Sequence, residues 1–425
     1  VRKIIDATDG KYAPKQIMSE IGKEAKLNPR GVIEWLISTY PLFVGLRPSI
    51  VVINPENEEL NETDSWQIIS KAIDALVKKS PGNSINHKDL LFQADKIAAT
   101  YFRANPAKYI LISSLSVTEL PAKTIKVNNC LISALGNRGS KYPLPKILSL
   151  RLQSSTFPFH IESSKYKLVK VSTVGRSEYE AIEKALNALN ILRGIWSLFA
   201  TKGAWSINSG VTIRKPLGIF YTGPFHTLHH PNGKPVNENM YWYDPDFTED
   251  QIIFQDIERL KQIDKKRKWA MRKLMHLEYR KELESLLIRY VEALDQPNTD
   301  IAFLQMWSIL EKITNTVGSN YDETIKRTTW LYTGEDCLLA KNVLESLRYR
   351  RNHYVHSGKT DNQESDQIAY LIKSFIDPHL FRLIANKINV RSIEEYGDFL
   401  SLPTDIATLK KNKKMIGKAL RVKKE

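Results

Sequence analysis

Apolar residues change their spacing twice along this 425-residue chain, and that change limits the folds open to it. A helix buries a stripe, so its apolar residues recur every three or four positions, whereas a half-buried strand alternates. In the first hundred residues Ile17, Met18, Ile21 and Ala25 keep the helical interval. Asn28-Pro29 then supplies a cap and a first-turn proline before Val32, Ile33, Trp35 and Leu36. This pair of short helices has the outline of a helix-turn-helix DNA reader, and equally of any helical bundle. A polar, acidic stretch at 54–64 reads as a loop, and helical spacing returns over 66–79 and 87–102.

From Ala107 the pattern shortens to β-type runs at 109–112, 124–132, 147–152 and 166–174, separated by Pro, Gly, Asn and Ser. Ser177-Glu178-Tyr179-Glu180 is a capping box opening a helix that carries Ile182, Ala185, Leu189 and Leu192, and a further β-like run follows at 211–221. After about 247 the spacing is helical again, over 252–275, 277–294, 301–316, 336–356 and 368–383. The expected fold is therefore α+β, mainly α. It comprises a helical N-terminal region over 1–105, a mixed α/β middle domain over 106–246, a helical domain over 247–395 and a basic tail over 396–425, flexible from Lys410.

Charge narrows the partners. Lys and Arg number 62 against 47 Asp and Glu, a formal +15 that favours polyanions. The runs Lys265-Lys266-Arg267-Lys268 and Lys410-Lys411 are expected to meet phosphates without reading sequence, because no aromatics interleave them. No segment reaches the ~18 consecutive apolar residues of a membrane helix, and Val1 to Asp6 shows no secretory pattern, so a cytoplasmic protein with no membrane partner is expected. Cys130 and Cys337 lack metal-type spacing and read as small buried hydrophobes. His226, His229 and His230 lie in a segment, 225–246, that reads as an irregular loop without the two-histidine helical spacing of a catalytic metal site. Neither a metal nor a cofactor is expected.

The richest chemistry lies where the 336–356 helix ends. Arg348, Arg350, Arg351, Asn352, His353 and His356 crowd into nine positions. Cleaving RNA without a metal needs a base for the 2′-hydroxyl proton, a cation for the phosphate and a polar group to orient the base. His, Arg and Asn are those three types. Asn352 and His356 stand four apart and share a helix face, whereas Arg351 and His356 stand five apart, about 140° around the axis. Arg351 must reach round on its long stem, or serve a site at a seam between two chains. In the last turn the helix dipole favours the imidazolium form of His356.

Arg351-Asn352-x-x-x-His356 resembles the HEPN ribonuclease motif. Phe303-Leu304-Gln305-Met306-Trp307-Ser308-Ile309-Leu310-Glu311-Lys312-Ile313 resembles the opening core helix of the Apea-like branch of that family. The resemblance covers about 298–385 and leaves the first 245 residues unassigned. It implies a HEPN-like helical bundle that dimerises with its motif helices face to face, cleaves RNA without metal to leave a 2′,3′-cyclic phosphate, and serves anti-phage defence or a toxin-like system. Carried onto this chain, Arg351 binds phosphate, Asn352 positions and His356 acts in acid–base catalysis. Glu311 either orients the arginine or forms a buried ion pair. The motif does not require His353, which reads as a supporting surface residue able to touch RNA, while Arg348, Arg350 and Lys359 are expected to bind RNA. The runner-up reading is a non-catalytic HEPN-like module that binds RNA or a partner protein. Expected partners are RNA, a second copy of the chain and a regulatory protein.

Overall fold

The computed structural model describes residues 4–6, 21, 23, 26–27, 33–34, 50–52, 60, 62–80, 84–136, 141–154, 166–200, 217–244, 247, 253–318, 321–357 and 365–423; at 4–6, 26–27, 33–34, 50–52, 62, 87, 354–357 and 365–366 it describes the backbone alone. The fold is α+β and mainly α. Two compact units emerge, one of 1–111, 172–185 and 228–236, the other of 112–171, 186–227 and 237–425.

In the first unit, β1 (Ile4–Asp6) pairs antiparallel with β4 (Ile50–Val52), and β2 (Lys26–Leu27) with β3 (Ile33–Glu34). The helix expected through Ile33 is thus a strand at that point, in keeping with the β preference of a branched side chain. The rest of the proposed helix-turn-helix, apart from residues 21 and 23, lies outside the described residues. Helices α1 (Glu62–Lys79) and α2 (His87–Arg103) follow as the spacing predicts. Ile68, Ile69, Ala72, Ile73 and Val77 of α1 share a buried cluster with Leu90, Ala94 and Ala98 of α2. Asn86 starts α2 by accepting from the Lys88 amide at 2.9 Å.

Six strands form the larger sheet: β5 (Ala107–Leu115), β6 (Ile125–Val127), β7 (Cys130–Ala134), β8 (Lys167–Gly175), β9 (Phe225–His229) and β10 (Trp242–Tyr243). Their order is β10-β9-β5-β8-β7-β6. Ile125 faces Ile132 and Val127 faces Cys130 across the β6–β7 hairpin, whose turn carries Asn128 at φ +52°. Two expectations are corrected here. The 147–152 run lies in a helix, α3 (Lys146–Gln153), with Leu148 buried and Leu150 exposed; a continuous apolar run of that length cannot distinguish strand from helix. The histidine segment is a loop only in part: 230–241 form neither helix nor strand, but its ends are β9 and β10, which pair with Trp242 opposite His226. Of the 211–221 run, residues 217–221 form no strand and the others lie outside the described residues. The capping box holds: the Glu180 amide donates to Ser177 Oγ at 2.9 Å, and the Arg176 amide to Glu180 Oε2, at the start of α4 (Glu178–Ala200).

The helices of the second unit are α5 (Ile257–Leu274), α6 (Arg280–Asp295), α7 (Thr299–Ile313), α8 (Tyr321–Thr329), α9 (Gly334–Ser357), α10 (Ser365–Ala385), α11 (Ile393–Leu400) and α12 (Ile406–Val422). Asn298 caps α7, accepting from the amides of Asp300 at 3.0 Å and Ile301 at 3.2 Å. Helix α7 packs on α6 and α10, and buries Phe303, Met306, Trp307, Leu310 and Ile313. From α10, Ala369, Ile372, Ile376 and Leu380 are buried in turn. The tail is corrected outright, since 406–422 is a helix begun by Asp405 accepting from the Thr408 amide at 2.7 Å. Among the described residues no helix is long and apolar enough to cross a membrane.

Candidate active site

Three helices build the surroundings of the motif. Helix α9 buries Ala340, Leu344 and Leu347 on its inner face, which turns its last turns so that Arg351 and Asn352 are half-buried and His353 exposed. Helix α7 brings Trp307 and Glu311. Helix α8 begins at Tyr321, and the rings of Trp307 and Tyr321 meet edge to face at 6.0 Å and 77°.

The guanidinium of Arg351 lies over the Tyr321 ring at 4.9 Å from its centre. Glu311 Oε1 accepts from Trp307 Nε1 at 2.8 Å. A relay of contacts therefore runs from Glu311 through Trp307 and Tyr321 to Arg351. Of the two expectations for Glu311, the ion pair is corrected: among the described residues it accepts from the indole one helical turn away and forms no ion pair, so it bears on Arg351 only through Trp307 and Tyr321.

The other arginines are occupied. Arg348 meets Asp322 and Glu345, each at 2.5 Å, and Arg350 lies 3.6 Å from Asp300. Among the described residues, Arg351 has no carboxylate partner while its two neighbours do. Their expected role in holding RNA gains nothing from this arrangement, because each already faces a carboxylate within its own chain. His353 stacks on Tyr349 at 6.3 Å and 14°. His356 belongs to the same continuous helix, so its backbone stands five residues beyond Arg351, while its side chain lies outside the described set. Lys359 lies outside it altogether.

The first basic run divides. Lys265, Lys266 and Lys268 are exposed, but Arg267 is buried, with Nε on Asp264 Oδ1 at 2.5 Å and Nη2 on Asp264 Oδ2 at 3.1 Å. The same Asp264 Oδ1 accepts from Trp196 Nε1 at 3.3 Å. Arg267 is therefore a core ion-pair residue and not an RNA contact, because α5 turns that position inward with Ile263 and Ala270. Lys410 and Lys411 are exposed on α12.

The histidine segment supplies no convergent set. His226 Nδ1 stands 2.9 Å from Ser113 Oγ, His229 Nδ1 donates to the Gly233 carbonyl at 2.9 Å, and His230 stacks on Tyr109 at 6.2 Å. Burial, with the Arg193 charge adding, holds the His226 imidazole down at about 4. Among the described residues no group of three His, Cys, Asp or Glu side chains is placed to hold a metal ion. Cys130 is buried as expected, whereas Cys337 is half-buried with Sγ 3.8 Å from the Thr329 carbonyl.

Sequence reasoning missed Tyr321, Asp300 and Asp322. Nothing in the spacing links them to Arg351, Arg350 and Arg348, since each pair is brought together by helix packing. Comparison with known proteins adds nothing further: no family model, no curated protein and no solved structure matches the chain.

Proposed function

We propose that the chain is a metal-independent RNA endonuclease of HEPN type. The observation that carries the reading is the contrast among the arginines of α9: Arg348 and Arg350 are ion-paired, while Arg351 lies on the Tyr321 ring with no carboxylate partner among the described residues. A guanidinium held by an aromatic face retains its in-plane N–H donors for a phosphate. Such a group suits the charge that develops when a 2′-oxygen attacks the adjacent phosphorus. His356 is the acid–base residue in this reading, accepting the 2′-hydroxyl proton and returning one to the leaving 5′-oxygen, and Asn352 orients it.

The pair is completed across two copies of the chain. Arg351 and His356 stand about 140° apart on α9, and the outer face of that helix carries Leu338 and Leu339, 63% and 64% exposed, and Tyr349, 74% exposed. Exposed apolar side chains along the motif helix suit packing on a second copy. The same reading places the protein in anti-phage defence or a toxin-like system with a regulatory protein partner. Incubating purified protein with total RNA and a chelator, then mapping the ends, tests it. Breaks with 2′,3′-cyclic phosphate are the expected result. RNA binding without cleavage at any protein concentration would favour a non-catalytic HEPN-like module.

A further inference from the structure

Helix α12 buries none of its residues. Ile406, Leu409, Lys413, Ile416 and Leu420 follow one another at steps of three and four, so they form a single stripe along the helix. Ile406 is 70% exposed, Ile416 60% and Leu420 57%, and Leu409 is half-buried. Lys410, Lys411, Lys414, Lys418 and Arg421 lie together on another face at ~100° per residue. No Asp or Glu stands anywhere in 406–422. Four apolar side chains thus line one side and five cations another, while Met415 and Val422, 54% and 72% exposed, lie beyond the cations on a third side.

We infer that α12 lies on an anionic lipid surface, its Ile406, Leu409, Ile416 and Leu420 stripe sunk among the acyl chains and its cationic face on the headgroup phosphates. Three classes of partner would meet the positive charge, and the stripe distinguishes them. A nucleic acid would neutralise the lysines and leave four apolar side chains in water. A protein groove that took the stripe would bury Lys413, which interrupts it between Leu409 and Ile416, at the cost of an uncompensated charge. At a bilayer surface Lys413 sinks its methylene stem with the stripe and raises its ammonium to the headgroups. The anionic leaflet meanwhile attracts the cations of the flanking face. This docking is peripheral and is compatible with the lack of any membrane-crossing helix among the described residues.

The test is cosedimentation of the full chain with vesicles of phosphatidylcholine alone and of phosphatidylcholine mixed with phosphatidylglycerol, alongside RNA binding in solution. Binding to the mixed vesicles is expected to exceed binding to the neutral ones by about tenfold or more. It should be lost in the double variant Ile416→Glu, Leu420→Glu and in the triple variant Lys414→Gln, Lys418→Gln, Arg421→Gln. The altered residues are unburied, so thermal melting of the variants should match wild type, and the Ile416, Leu420 variant should keep its RNA affinity. No sedimentation with either vesicle overturns the inference, as does wild-type vesicle binding by the Ile416, Leu420 variant. Loss of RNA affinity in the cationic variant without vesicle binding assigns the helix to nucleic acid instead. None of these readouts depends on RNA cleavage.

Discussion

The guanidinium carbon of Arg351 stands 4.9 Å from the centre of the Tyr321 ring, while Arg348 and Arg350 on the same helix are matched by Asp322 and Asp300. The ring that holds Arg351 is itself held by Trp307, whose N–H is fixed by Glu311. Orientation of the candidate phosphate-binding cation is thus set by two other helices.

Replacing Tyr321 should therefore slow RNA cleavage without removing a charged group. Tyr321→Leu keeps an apolar neighbour but loses the electron-rich face, and a rate lower by about three- to tenfold is expected. Tyr321→Phe should stay close to wild type. Single-turnover cleavage rates at saturating protein check both, and a wild-type rate for Tyr321→Leu would remove the ring from the mechanism.

Arg351→Ala and His356→Ala should each lower the cleavage rate by about a hundredfold or more, with melting temperature unchanged. His353→Ala should cost far less, since that side chain is exposed and outside the motif. An equal loss in His353→Ala would move the base from position 356 to 353.

A shared site makes a demand on mixed assemblies. After subunit exchange between an Arg351→Ala chain and a His356→Ala chain, each heterodimer should hold one complete pair, and activity should return to a measurable fraction of wild type. No recovery would mean that each chain uses its own pair. A fully active monomer by light scattering at the assay concentration would exclude the dimeric site.

Arg267→Ala should act on stability and not on RNA affinity. The substitution leaves Asp264, 2% exposed, as a buried carboxylate without its bidentate partner; breaking such a pair costs about 3–5 kcal/mol. Lys265→Ala and Lys266→Ala, both at exposed positions, should stay within about 0.5 kcal/mol. Urea denaturation of the three variants separates the two roles.

Acid should destabilise the fold through His379. Its Nδ1 stands 2.8 Å from the Tyr396 hydroxyl and its Nε2 3.2 Å from the Thr328 carbonyl, an arrangement that suits the neutral ring with Nε2 donating. Burial holds the imidazole at about 4; the Thr328 bond works against this and the Arg382 charge with it. The unfolded chain takes up a proton near 6.5, so between about 6.5 and 4 it binds protons that the folded chain refuses. Stability is then full above that window and falls as pH drops through it, by about 3 kcal/mol in all. His226, held at about 4, acts in the same direction. Urea midpoints across this range should fall with acid in wild type and fall less steeply in His379→Gln, whose side chain does not titrate; parallel curves would contradict the assignment.

The amino-acid sequence by itself determined what depends on near neighbours along the chain. The 3.6-residue interval placed α1, α2, α5, α6, α7, α9 and α10, Asn298 and the Ser177–Glu180 box marked two helix starts, and Arg351 and His356 were bound to one helix by their spacing. Short apolar runs were ambiguous, which is why 147–152 proved helical and Ile33 β. The tail hid its helix because lysines dominate its composition while the apolar residues that form its stripe are few. Tertiary packing alone decided which cations are available. Arg267 and Lys268 are adjacent in a basic run and both approach Asp264, yet a 100° turn per residue buries Arg267 in the core at 2.5 Å while Lys268 reaches the same carboxylate from an exposed position at 3.8 Å. Arg348, Arg350 and Arg351 read alike as a cluster until α7 and α8 set carboxylates against two of them and a tyrosine ring under the third. Charge follows composition, but its neutralisation follows three-dimensional contact.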